Sequence, residues 1–245
     1  MFYDQGAFDI RCEWGEKGVE ALSRESDVVI IVDVFSFSTT VDVALARGAV
    51  VYPFRHGDIA AAAEFAIEKN AELVGKRGES RFSFSPKAMM DVPAGTRLVL
   101  PSQNGAALSL MTEGKPTLTG CLRNRLAVSA YARQLGRQIA VIPGGERWED
   151  GSLRPAVEDW IAAGAIIAGL PGSRSSEASA AVATFEALRG ELEMNLKSAS
   201  SGTELQERKY EDDAAIAADL DCSECVPRLV EGAYRNAGGG RMRIE

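Results

Sequence analysis

The sequence predicts an α/β protein, a three-layer α/β/α arrangement around a mostly parallel, mixed sheet, with a helical C-terminal third. Residues 28–34 form an apolar, β-branched run interrupted only by Asp33, the signature of a strand buried on both faces. Short apolar runs then alternate with helical spacings as far as Ile142, as in repeated β-α units whose sheet is covered on both sides. From Pro155 onward the spacing is almost wholly helical.

The elements follow in chain order. Residues 8–14 alternate in polarity and suggest an added, antiparallel edge strand. After the 28–34 strand, Ser36, Ser38, Thr39 and Thr40 are good N-cap types before a helix over 41–48, closed at Gly48. Strand 49–54, an alanine-rich helix over 58–70 and a short strand at 72–75 complete a β-α-β-α-β unit. Residues 76–95 are irregular, rich in Gly, Ser, Pro and charge, and a stretch of this length inside a compact domain is more often functional than idle. Alternation resumes with strand 97–100, helix 104–111, strand 117–119, helix 123–135 and strand 138–142. Helices are expected at 157–170, 176–188 and 211–220, with a polar stretch through Gly202 and a mobile tail at 236–242. No linker divides the chain and no repeat is visible, so residues 1–245 are expected to form a single domain.

Composition excludes several classes. No run approaches the roughly 20 apolar residues of a membrane span, and the N-terminus has no basic flank or apolar stretch of a secretory signal, so a cytoplasmic protein is expected. The net charge is −8 and the basic residues are scattered among acids, which leaves no footprint for nucleic acid. The cysteines, Cys12, Cys121, Cys222 and Cys225, include one isolated C-x-x-C pair. With a single histidine in the chain, a zinc or redox site is less expected than small buried thiols.

In open α/β sheets ligands bind beyond the carboxyl ends of strands. Four polar loops fall there: Asp33 with Ser36 to Thr40, then Ser102-Gln103-Asn104-Gly105, then Gly120 with Arg123 and Asn124, then Gly144-Gly145-Glu146-Arg147. These loops are expected to converge on one rim. Asp33 is the strongest of these residues, because an acid inside a buried strand must be paired, hydrogen-bonded or metal-bound. The hydroxyls have a plainer use as caps, and each glycine segment as a tight turn. Mg²⁺ takes one or two carboxylates plus water and substrate oxygens, and Asp33, Glu146, Glu158 and Asp159 are the candidates, although Glu158-Asp159 could equally complement a helix dipole. His56, between a strand and a helix, is a secondary acid–base candidate. No P-loop, dinucleotide or nucleophile-elbow motif is present.

Taken together and in order, the motifs resemble the 2-phosphosulfolactate phosphatase family, Mg²⁺-dependent enzymes of the coenzyme M route. The matching segments are Val32-Asp33-Val34-Phe35-Ser36-Phe37-Ser38-Thr39-Thr40, Ala46-Arg47-Gly48-Ala49, Ser85-Pro86, Ser102-Gln103-Asn104-Gly105, Gly120-Cys121-Leu122-Arg123-Asn124, Pro143-Gly144-Gly145-Glu146, Glu158-Asp159, Asp212-Asp213 and Val226-Pro227. Three segments depart from the family pattern. Ser36 stands where that family carries an arginine, Gly75-Lys76-Arg77 replaces Gly-Glu-Arg, and Ser102-Gln103-Asn104-Gly105 replaces Thr-Thr-Asn-Gly. A serine cannot supply an arginine's bidentate charge, which leaves Lys76, Arg77 or Arg147 to do so.

The resemblance implies hydrolysis of a small phosphorylated hydroxy acid. Asp33 and Glu146 would be catalytic, with Asp33 either metal ligand or nucleophile. Ser36, Ser38, Thr39, Thr40, Asn104, Gly105, Arg123, Asn124 and Arg147 would bind substrate, and Asp33, Glu146, Glu158 and Asp159 would hold Mg²⁺. The alternatives are a catalytically altered member that binds a small anion without turnover, and a purely structural oligomer. A homodimer is the assembly to test.

Overall fold

The structure is a computed structural model that describes residues 2–77, 80–112 and 114–238. The first half of the chain contributes β1 (Ile10–Cys12), α1 (Gly15–Leu22), β2 (Val28–Val32), α2 (Thr39–Ala46), β3 (Val50–Arg55), α3 (Ile59–Glu68), β4 (Glu72–Leu73), α4 (Pro86–Met89), β5 (Arg97–Ser102) and α5 (Gly105–Leu110). It continues with β6 (Thr117–Thr119), α6 (Arg125–Leu135), β7 (Ile139–Pro143), β8 (Glu146–Arg147), β9 (Leu153–Arg154), α7 (Val157–Ala168) and α8 (Ser176–Leu188). The last elements are α9 (Leu192–Ser198), α10 (Ser200–Glu207), α11 (Glu211–Ala218), β10 (Pro227–Val230) and β11 (Ala233–Asn236). The order in the nine-stranded sheet is β1-β7-β2-β6-β10-β11-β3-β5-β4, with β8 and β9 paired separately.

The buried run at β2 explains the layers. Val28, Ile30 and Val32 pack with Val128, Ile161, Ile166 and Phe185 of α6, α7 and α8, while Val29 and Ile31 pack with Val19, Leu22 and Leu108 of α1 and α5. Successive side chains of a strand point to opposite faces, so one apolar run fills both layers. Full burial of each such side chain stabilises by roughly 1.5–3 kcal/mol. In the second half of the sheet, Val51, Leu98 and Leu100 face α2 and α4, and Tyr52 and Val99 face α3.

Three expectations need correction. The N-terminal edge strand β1 is parallel to β7, not antiparallel, because α1 carries the chain back across the sheet before β2. The polar stretch before Gly202 is helical, forming α9 and α10, whose burial of Leu192, Leu196 and Leu205 outweighs weak local propensity. The C-terminal third also supplies a β-hairpin, β10-β11, inserted between β6 and β3 with antiparallel pairing on each side. Its two-residue turn places Glu231 at φ 51° and Gly232 at φ 77°, the pair of positive φ values that a type I′ hairpin requires. Of the tail 236–242, residues 239–242 lie outside the described residues.

The hairpin gives β3, β5 and β4 the opposite sense to β1, β7, β2 and β6. The expected single rim of parallel carboxyl ends is therefore not how the loops meet. Twist of roughly 20–25° per neighbouring pair accumulates across a sheet, and the end of β5 reaches the end of β2 from the other direction, as the contacts below establish.

Candidate active site

Asp33 ends β2 and is buried. Its backbone N–H donates to Ser38 Oγ at 2.9 Å, and Ser38 N–H donates back to Asp33 O at 2.7 Å, which closes the turn 33–38 on itself. Its carboxylate Oδ2 accepts from Gly105 N–H, at the start of α5, at 2.7 Å. A glycine is needed there, since a Cβ would lie 2.2 Å from Phe37 Cδ1. Asp159, in the first turn of α7, joins the other loops: Oδ1 accepts from Val34 N–H at 2.7 Å and Oδ2 from Gly145 N–H at 2.8 Å. Gly145 has φ 69°, a conformation suited to glycine, and its turn delivers Glu146. Asn104 Nδ2 then donates to Glu146 Oε2 at 3.2 Å.

The result is a group of acids with little compensating charge. Burial raises Asp33 from 3.8 to about 6, against the backbone bonds from Gly105 and Phe37, and the Glu158 charge raises it further. Burial raises Glu146 from 4.5 to about 8, reinforced by the charges of Asp33 and Glu158 and opposed by Arg154. Asp159 is raised well above the usual carboxylate range by burial and by the same two neighbours. Glu158 is buried and its Oε1 has no hydrogen-bond partner. Buried carboxylates that repel one another beside an unsatisfied oxygen suit a cation. Among the described residues no three His, Cys, Asp or Glu side chains are grouped so that together they could hold a metal ion.

The cluster opens through Glu146 into a cleft of about 680 Å³, whose walls include Phe35, Lys76, Arg77, Phe84, Arg208 and Tyr210. Arg77 Nε donates to the buried Asp213 at 2.9 Å, Ser85 Oγ donates to the same carboxylate at 2.5 Å, and the guanidinium lies 5.6 Å over the Tyr210 ring.

Of the expected residues, Asp33, Asn104, Gly105, Glu146, Glu158 and Asp159 come together. Asn104 and Gly105, however, direct their donors at Glu146 and Asp33, so they position acids and do not offer those donors to a substrate. Both Asp159 oxygens already accept backbone N–H groups, which makes it a loop clamp more than an open ligand. Ser36 is half-buried on the turn.

Other residues are held elsewhere. Ser38 is buried against Thr119 Oγ1 at 2.6 Å, Thr39 is buried, and Thr40 Oγ1 donates to Phe84 O at 2.9 Å. Arg123 donates to Asp42 at 3.0 Å and to Ile216 O at 3.0 Å, because burial of Asp42 demands a partner. Asn124 is fully buried and accepts from Cys121 N–H at 2.9 Å. Arg147 donates to Glu16 at 2.8 Å and lines a different cleft together with His56. Sequence reasoning did not find Arg154, which pairs in register with Glu146 across β8-β9, nor Arg208, and it singled out Asp213 only within the Asp212-Asp213 segment, without a role. Asp213 lay within an acidic helix start, where an acid reads as a dipole complement. All four cysteines are free thiols, with Cys222 exposed. No helix among the described residues is long and apolar enough to cross a membrane.

The family model described as 2-phosphosulpholactate phosphatase matches residues 17–232. A probable 2-phosphosulfolactate phosphatase of Gloeobacter violaceus is 31% identical over 212 residues, covering 82% of this chain and 88% of the relative. The 2-phosphosulfolactate phosphatase of Methanothermobacter thermautotrophicus is 34% identical over 160 residues, 64% of this chain and 67% of the relative. A probable enzyme of that name from Parasynechococcus marenigrum is 32% identical, with coverages of 82% and 88%. With the matched region spanning β2 and both acid-bearing loops, the chain belongs to the 2-phosphosulfolactate phosphatase family.

Proposed function

We propose that the protein is a Mg²⁺-dependent phosphatase that hydrolyses a small phosphorylated hydroxy acid, 2-phosphosulfolactate or a close analogue. The observation that carries this reading is the group of buried acids, with Glu158 Oε1 buried and unpartnered and the Glu158 charge acting on Asp33 and Glu146. Asp33 and Glu158 would hold the ion, which when bound neutralises phosphoryl charge and orients its oxygens.

The chain's own groups divide the remaining work. Gly105 N–H and the turn 33–38 fix Asp33. Asp159 fixes the two loops relative to each other. Glu146, pushed up to about 8 in the metal-free protein by burial and by the charges of Asp33 and Glu158, is the group suited to give a proton to the leaving alkoxide. Asn104 Nδ2 occupies one Glu146 oxygen and so leaves the other to carry that proton. The cleft beside Glu146 accommodates the rest of the substrate.

Phosphate release from 2-phosphosulfolactate and a panel of phosphorylated hydroxy acids tests the proposal. Release should require Mg²⁺ and fall by at least about a hundredfold in Glu146→Gln, the scale of a lost general acid. One observation favours a second reading, anion binding without turnover: the turn carries Ser36 and no cation. Ligand-induced stabilisation in the absence of any phosphate release would select it.

A further inference from the structure

We propose that Lys76 is a specificity-determining residue that binds a second anionic group, a carboxylate or sulfonate, on the substrate. The inference rests on the phosphatase reading for where the phosphoryl group sits. It concerns the other end of the same cleft.

The cleft wall facing Glu146 is basic, with Lys76, Arg77 and Arg208. Two of these cations are already paired. Arg77 is held by the buried Asp213, and Arg208 lies 2.7 Å from Glu204, one helical turn earlier. Lys76 is exposed and, among the described residues, has no carboxylate within ion-pair distance. The preceding residue is nonetheless fixed. Gly75 N–H donates to Phe82 O at 3.1 Å and Gly75 bridges Ser83, while a Cβ at Gly75 would lie 1.9 Å from Ser80 Oγ. Gly75 is therefore held in place, and Lys76 follows it on the wall between this cleft and a second one lined by Asp58 and Ser80.

A lysine ammonium that faces a cleft without a counterion favours an anion at that position, and a charge-assisted hydrogen bond is stronger than a neutral one. A substrate with its phosphoryl group at the acid cluster and a second acid directed at Lys76 satisfies both ends. A simple alkyl phosphate satisfies only one.

Calorimetry with two inert ligands, carboxyethylphosphonate and its carboxylate-free counterpart propylphosphonate, in the presence of Mg²⁺ separates this from the phosphatase reading, since neither can be hydrolysed. The full chain should prefer carboxyethylphosphonate by about tenfold. That preference should collapse in Lys76→Met and return in Lys76→Arg. As an exposed side chain, Lys76 should leave the melting temperature unchanged when replaced. Equal preference in the wild type and Lys76→Met, no preference in the wild type, or failure of either ligand to bind would overturn the inference. Phosphate release measured on the same preparations decides the catalytic reading independently.

Discussion

Asp33 and Gly105, far apart in the sequence, meet through a 2.7 Å hydrogen bond from the Gly105 N–H to Asp33 Oδ2. The contact joins the end of β2 to the end of β5 although the two strands run in opposite senses, and it fixes the acid around which the others gather. Gly105→Ala should disrupt it, because the added Cβ would lie 2.2 Å from Phe37 Cδ1. Destabilisation of about 1–3 kcal/mol is expected from overpacking, read by denaturant unfolding, with activity lost at temperatures where the variant remains folded.

The acid cluster sets a pH dependence of stability. Asp33 rises from 3.8 to about 6 and Glu146 from 4.5 to about 8, so between about pH 4 and 8 the native state binds more protons than the unfolded chain. Stability then falls as pH rises. Thermal melts in chelator should therefore show a lower melting temperature at pH 8 than at pH 5, by several degrees, and Mg²⁺ should restore it most strongly at pH 8. A melting temperature that is flat or rises from pH 5 to 8 in chelator would argue against an uncompensated cluster.

Glu158 gives a two-sided test. Glu158→Gln removes a buried charge that bears on Asp33, Glu146 and Asp159, so the metal-free protein should melt no lower, and at pH 8 higher, than the wild type. The same change should weaken Mg²⁺ binding by about tenfold or more, measured by titrating the melting temperature with the ion. An unchanged Mg²⁺ response would remove Glu158 from the metal site.

Helix α7 carries Asp159 to the loops only if it lies close against α8. Gly164 permits this, since a Cβ there would sit 2.0 Å from Ala181 O. Gly164→Ala should cost about 1–3 kcal/mol in stability, and should lower activity through the Asp159 clamp without a direct contact to the cleft.

Much of this was legible in the chain because buried strands and helix spacings are local signals. Asp33 stands out as one acid among six β-branched residues, Glu146 as an acid in a predicted loop, and Glu158-Asp159 as acids at a predicted helix start. What escaped was decided by distant partners. Ser38, Thr40 and Asn124 have the residue types of a binding loop, yet their hydroxyls and amide close turns or hold neighbouring backbone. Arg123 and Arg147 were the obvious cations for an anion, but Asp42 and Glu16 take them. The cations on the cleft come instead from the irregular 76–95 segment and from Arg208, just past the end of α10. The β10-β11 hairpin is short and carries Arg228, Glu231 and Arg235, so its alternation was masked, although Glu231-Gly232 was a usable turn signal.

We propose the Asp33 cluster as a Mg²⁺-dependent phosphatase centre. The most direct test is phosphate release from 2-phosphosulfolactate at neutral pH by the full chain and by Asp33→Asn, each with Mg²⁺ and with chelator. Release is expected only from the wild type with Mg²⁺. Wild-type release that is unaffected by chelator, comparable release by Asp33→Asn, or no release by the wild type from this or any related phosphorylated acid would contradict it.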